Sequence, residues 1–256
     1  MAIDEAIFRE TLRVSAPPTL RFYGWIRPSV SLGYFQNIEH EIDGPVCLRE
    51  GIDVVFRPTG GKAVYHDDDI TYAVVAGKDD QHFPDDIMGT YRTISRCLAA
   101  GLAKLGVDAR LADKGRQDDP KRLMASCFSL PSRFELLVDG KKICGSAQVR
   151  SRGGFLQHGS LLMTFDPART YDVLFPHPEP REEHVRRLSR SVTSLSEHLA
   201  LDSDIHRQVC NALKDAFTDQ LHITLVEGAL TPEEEDLKAN LLRTKYCREH
   251  LCTAMK

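Results

Sequence analysis

The chain has 256 residues, 42% hydrophobic and 27% charged, with a formal net charge of −4. That length buries a substantial core, and the acidic balance argues against a general nucleic-acid binder. No apolar run approaches the roughly 18 residues of a membrane span, and Met1-Ala2-Ile3-Asp4-Glu5 lacks the basic start of a signal peptide. A cytoplasmic protein, monomeric and without nucleic-acid or membrane partners, is the expectation. Seven cysteines without CxxC spacing (47, 97, 127, 144, 210, 247 and 252) read as reduced thiols rather than a disulfide or zinc framework.

Taken in order, Asp4 to Leu12 reads as the end of an N-terminal helix. Leu20–Trp25 and Ser29–Gly33 read as strands split by the Arg27-Pro28 turn. Ile52–Phe56 and Ile70–Val75 are β-branched runs on either side of a glycine turn, Arg57-Pro58-Thr59-Gly60-Gly61. From Asp85 to Leu105 the apolar residues Ile87, Tyr91, Ile94, Leu98, Leu102 and Leu105 recur at helical spacing, stopped by Gly106. The pattern fails from Asp108 to Ser132, which reads as a long polar loop with Cys127 near its far end.

A β-meander follows. Phe134, Leu136 and Val138 alternate, Asp139-Gly140 is a hairpin turn, and strands run from Lys142 to Arg150 and from Phe155 to Met163. Strict alternation puts Lys142, Cys144, Ser146 and Gln148 on one face of the middle strand, and Ile143, Gly145, Ala147 and Val149 on the other. The polar face is therefore the expected functional one. The last third reads as an amphipathic helix from Asp202 to Leu221, a short strand from His222 to Val226, and a helix opened by a Thr231-Pro232-Glu233-Glu234 capping box. The whole is expected to be one α+β domain, with 202–256 its mostly helical C-terminal part.

Between Arg57 and Gly159 lie the parts of an acyl-transfer site. These are a glycine turn where backbone can approach a ligand, a fixed lysine, and a thiol the lysine could ionise. Cys144 rivals Cys127 as that thiol, being about 7 Å from Lys142 along the strand. A rigid strand position is nevertheless poorly placed to meet that amine. His66 and His158 have no carboxylate spacing that supports a metal site, and read as residues shaping a pocket or bonding to backbone. Arg186, Arg187 and Arg190 form either a solvated helix face or a docking surface for an acidic partner.

The phrases Arg21-Phe22-Tyr23-Gly24-Trp25, Ser31-Leu32-Gly33-Tyr34-Phe35-Gln36, Arg57-Pro58-Thr59-Gly60-Gly61, Gly140-Lys141-Lys142-Ile143 and Leu156-Gln157-His158-Gly159-Ser160 occur in an order that resembles the biotin/lipoate protein ligase superfamily. Within it the chain most resembles the octanoyltransferases of lipoate biosynthesis in Gram-positive bacteria. That resemblance implies a mixed central sheet flanked by helices. It also implies octanoyl transfer from acyl carrier protein to a lysine of a lipoyl domain or glycine cleavage H protein, with neither ATP nor metal. Cys127, in Cys-Phe-x-x-Pro-Ser, matches the family nucleophile, and Lys142 the lysine that lowers its pKa. Arg57, Gly60, Gly61, His66, Gly145, Ser146, His158 and Gly159 fall where the motifs imply the substrate pocket.

Some residues depart from the ATP-using ligases. Lys62 stands where they have a third glycine, and Phe134-Glu135 where they carry Asn-Asp. Both changes favour the transferase. Phe56 replaces an arginine common before Arg-Pro, and an N-terminal strand usual in relatives is not expected here. The rival readings are an ATP-dependent lipoate or octanoate ligase, an octanoyl amidotransferase acting between H protein and lipoyl domains, and a lipoyl-domain binder without turnover.

Overall fold

Alternating β-branched runs and one-sided helices assemble into two sheets with helices packed on them. The computed structural model describes residues 1–14, 16–112, 135–176 and 180–246. In chain order the elements are α1 (Ala2–Arg13), β1 (Thr19–Tyr23), β2 (Ser29–Leu32), α2 (Ile38–Glu41), α3 (Gly44–Glu50), β3 (Asp53–Phe56), β4 (Val64–His66), β5 (Asp69–Gly77) and α4 (Ile87–Lys104). Then come β6 (Arg110–Leu111), β7 (Leu136–Val138), β8 (Lys141–Ser151), β9 (Gly154–Leu162), α5 (Pro167–Leu174), α6 (Arg181–Ser191), α7 (Ile205–Leu221) and α8 (Pro232–Thr244).

The large sheet has the order β1-β5-β9-β8-β7-β6 and is antiparallel at every pairing. The small sheet, β3-β2-β4, is mixed, with β2 and β3 parallel and β2 and β4 antiparallel. The α+β class expected from the sequence is the one found.

Period-two alternation divides the large sheet's faces. Ile70, Tyr72, Val74, Phe155 and Leu161 enter the main core beneath α4 and α7. On the opposite face Ala73, Val75 and Leu156 pack against Ile7 and Phe8 of α1. Further along that face Thr71, His158 and Ser160 replace the apolar residues, and there a cleft opens toward the small sheet. The small sheet buries Val30, Leu32, Val54 and Tyr65 in its own core. Its alternate positions Ser31, Val64 and His66 face the cleft.

Several expectations need correction. The run from His222 to Val226 forms no strand: His222 adopts φ +53 as the cap of α7, and Val226 is exposed with no ladder to join. The glycine turn does not link two long strands directly, because the three-residue β4 intervenes. Part of the supposed polar loop, Arg110–Leu111, pairs with β7. Ile87 at the start of α4 is exposed, while Cys97 and Gly101 join its buried face. The Thr231 capping box is present as read.

The alternation assigned to β8 also breaks. Leu136 pairs with Cys144 and Leu137 with Lys142, leaving Ile143 as an extra residue in a β-bulge. The slip moves Lys142 to the opposite face from Cys144. Ile143 and Cys144 both point into the core, and Lys142 faces the cleft beside Gly145 and Ala147. The functional face of β8 is thus not the one that strict alternation selects.

Candidate active site

The cleft spans about 500 Å³ of space, part of it open to solvent. Arg57, Gly61, His66, Lys142, Gly145, Ser146, His158 and Gly159, all expected from the sequence, line it. Gly60 does not line it but supplies a carbonyl to the turn beneath. Cys127 lies outside the described residues. Ser31, Thr71, Glu135, Ala147 and Ser160 also line the cleft and were not anticipated. The signals that could have found them are the serine two residues before Gly33 and the acidic residue seven before Lys142.

Arg57 builds the glycine turn. It is 4% exposed, and its guanidinium donates to the carbonyls of Ser31 (2.8 Å), Gly60 (2.9 Å) and Lys62 (2.7 Å) and to Ser31 Oγ (3.2 Å). A planar fork of five donors holds three carbonyls and a hydroxyl at once, four acceptors where a lysine has only three N–H groups. Arg57 is therefore structural as well as cleft-lining. Gly61 adopts φ +93, a region favouring glycine. A Cβ on Gly33 would sit 2.0 Å from the Gly61 carbonyl oxygen, so the two backbone segments touch only because Gly33 has no side chain.

Lys142 is 2% exposed, and its Nζ donates to Glu135 Oε1 at 2.6 Å. Both side chains of this ion pair are almost wholly buried. The backbone of Lys142 is pinned as well, by Thr193 N–H donating to its carbonyl at 2.9 Å just beyond the end of α6. Arg186, Arg187 and Arg190 lie exposed on that helix.

His66 and His158 bond to side chains rather than to backbone. His66 Nε2 lies 2.8 Å from Ser31 Oγ, and Nδ1 lies 3.2 Å from both Asp69 Oδ2 and Ser160 Oγ. Thr71 donates to the same Asp69 oxygen at 3.0 Å. Burial would raise the Asp69 carboxyl, but His66 and these hydroxyls hold it below its usual range. His158 Nε2 meets Thr59 Oγ1 at 2.7 Å, and its Nδ1 stands 4.0 Å from Asp4. Complete burial pushes His158 down. No group of three metal-binding side chains occurs among the described residues.

Cys144, the sequence rival for the nucleophile, is excluded on two grounds. It points into the main core, and burial pushes its thiol up to about 12 despite the charge of Lys142. Cys47 and Cys97, likewise buried, are raised to about 11 and about 12. None of these three forms a thiolate near neutral pH.

Comparison with known proteins agrees with this geometry. Residues 1–218 match the model of the lipoyl protein ligase A/B catalytic domain. The chain is 41% identical to octanoyltransferase LipM of Kyrpidia tusciae, covering 96% of this chain and 90% of that protein. It is 35% identical to octanoyltransferase LipM of Bacillus subtilis, covering 97% and 91%. Among solved structures, a bipartite lipoate protein ligase from Thermoplasma acidophilum aligns with a TM-score of 0.81 at 30% identity, over 100% of this chain and 91% of that one. A lipoate-protein ligase A bound with ATP aligns with a TM-score of 0.76 at 33% identity, over 96% and 89%. With the family model covering most of the chain and relatives above 30% identity over nearly all of it, the chain belongs to the lipoyl protein ligase A/B catalytic-domain family.

Proposed function

We propose that the chain is an octanoyltransferase of lipoate biosynthesis. It moves octanoyl from acyl carrier protein, through a thioester on Cys127, to a lysine of a lipoyl domain or glycine cleavage H protein. The observation that carries this reading is the Lys142 ammonium, fixed at the cleft by Glu135 and by its own pinned backbone. A buried cation of this kind lowers the pKa of a neighbouring thiol and stabilises the thiolate that attacks and later leaves. The transferase names of relatives that align over nine-tenths of their length support the same reading.

The first transfer exchanges one thioester for another and is nearly isoenergetic. The second converts a thioester to an amide and is downhill, so neither step requires nucleotide. In this reading the N–H of Gly61, whose turn lines the cleft, holds the oxyanion. The whole chain serves as one catalytic domain, since α7 packs on α4 and α8 on α1.

The second reading is an ATP-dependent ligase, favoured by the likeness to the ATP-bound ligase structure. Lys62 in the glycine turn and Glu135 on Lys142 weigh against it. The separating experiment supplies an apo lipoyl domain with octanoyl acyl carrier protein lacking nucleotide, or with octanoic acid, ATP and magnesium. Acylation in the first mixture alone is expected. Acylation only in the second would overturn the transferase reading.

A further inference from the structure

We propose that the outer face of α6, carrying Arg186 and Arg190, is the surface on which the acidic donor, octanoyl acyl carrier protein, docks. The inference rests on the transferase reading above and names the place where its first substrate binds.

The helix forms an outer wall of the cleft. Its inward residues Val185 and Leu188 pack with Leu162 and Val64, and Val64 lines the cleft. Beyond its last turn the chain passes through Val192, which bridges to Lys142, and Thr193, whose N–H donates to the Lys142 carbonyl at 2.9 Å. The C-terminal end of α6 is therefore tied to the cleft lysine.

The charge on the helix is arranged along that direction. Arg186 and Arg190 stand four residues apart, so they share one face. Both are exposed, and neither forms an ion pair or hydrogen bond among the described residues. Arg181, by contrast, is held by Asp172 at 2.8 Å, and Arg187 bonds back to His184. Glu182 and Glu183 lie in the first turn, at the end away from Lys142. The helix dipole accounts for Arg190 in the last turn, but its effect fades before Arg186. In a chain of net charge −4, two unpaired cations beside the cleft make a local attraction for an anionic partner.

The position of the face selects the donor over the acceptor. Arg186 and Arg190 stand nearly opposite the buried Leu188, so the width of the helix, about 10 Å, separates them from the cleft wall. An acceptor lysine ends a short side chain, and its domain must press on the cleft mouth itself. The donor carries octanoyl at the end of a long phosphopantetheine arm, so its protein body can rest beside the cleft while the thioester enters. A face set back by one helix width suits the second partner.

Loading kinetics on the full chain test this, with two donors: octanoyl acyl carrier protein, and octanoyl pantetheine, the same thioester without the protein. Arg186→Glu/Arg190→Glu should lower the second-order rate of loading from the protein donor by about 10-fold or more at low salt. The maximal rate at saturating donor, loading from octanoyl pantetheine and discharge to a lipoyl domain should all be unchanged. The deficit should largely vanish near 1 M salt, where the screening length falls to about 3 Å. Arg186→Gln/Arg190→Gln should show a smaller fall in the same direction, and Arg186→Lys/Arg190→Lys should retain most of the wild-type rate. Unchanged loading from the protein donor in the glutamate variant overturns the proposal. So does an equal fall with both donors, which marks damage to the cleft, or a fall confined to lipoyl-domain discharge, which assigns the face to the acceptor. A wild type that octanoyl acyl carrier protein never loads overturns the transferase reading itself, and the docking face with it.

Discussion

Glu135 and Lys142 are two opposite charges whose side chains are 7% and 3% exposed and 2.6 Å apart. Taking them out of water costs several kcal/mol each, and their attraction offsets that cost only while both are present. Removing one partner strips the other of its 2.6 Å ion pair, and breaking a buried pair in this way costs about 3–5 kcal/mol. Unfolding entropy near 2.1 cal/mol/K per residue over 256 residues gives about 0.54 kcal/mol/K, so Glu135→Leu or Lys142→Met should each lower Tm by about 6–9 °C. The double variant Glu135→Leu/Lys142→Met puts two apolar side chains together, and should recover to within about 1 kcal/mol of wild type or exceed it. Both Lys142→Met and the double variant should be inactive, which separates the ion pair's catalytic role from its stability. Thermal and urea unfolding of the four proteins measure the cycle. Single losses below about 1 kcal/mol would mean that the pair behaves like a solvated one. Strict additivity in the double variant would refute the coupling.

Three further outcomes follow from the geometry. Because burial raises Cys47, Cys97 and Cys144 to about 11, about 12 and about 12, iodoacetamide at pH 7.5 should leave all three unmodified in the native protein and alkylate Cys127. Peptide mapping that finds Cys144 labelled first would contradict this assignment. Gly33→Ala forces a methyl within 2.0 Å of the Gly61 carbonyl and should cost about 1–3 kcal/mol while abolishing acyl loading. Near-normal loading in that variant would show that the turn tolerates displacement.

The third concerns acid. Burial would raise the Asp4 carboxyl, but His158, the N-terminal ammonium and Arg21 hold it at about 2 against an ordinary 3.8. Because the folded value is the lower one, Asp4 contributes about 2 kcal/mol above roughly pH 4, and that contribution disappears as pH falls toward 2. Asp4→Asn should flatten the stability profile in that window, and an unchanged slope would count against it.

Most strands and the two long helices could be read because their apolar spacing coincides with what they bury, as in Ile94, Leu98 and Leu102 of α4. The cleft motifs could be read from their combination and order along the chain, since a glycine pair or a lysine after a hairpin is common alone. The bulge at Ile143 could not be read. It depends on where Leu136 and Leu137 meet β8 across the sheet, and period-two counting along a single strand carries no information about its partner. The same holds for Ser31 and Asp69. Each is an ordinary strand residue until β2, β4 and the start of β5 are brought together. His222–Val226 failed for the opposite reason: β propensity alone makes no strand of a segment that pairs with no other.

The central claim is the acyl-enzyme, and intact-protein mass spectrometry tests it most directly. Wild type and Cys127→Ser are mixed with octanoyl acyl carrier protein in the absence of ATP. The account predicts one octanoyl adduct on wild type, removed by hydroxylamine, and none on the serine variant. An adduct of equal yield on Cys127→Ser, or no adduct on a wild type that still acylates the lipoyl domain, would contradict it.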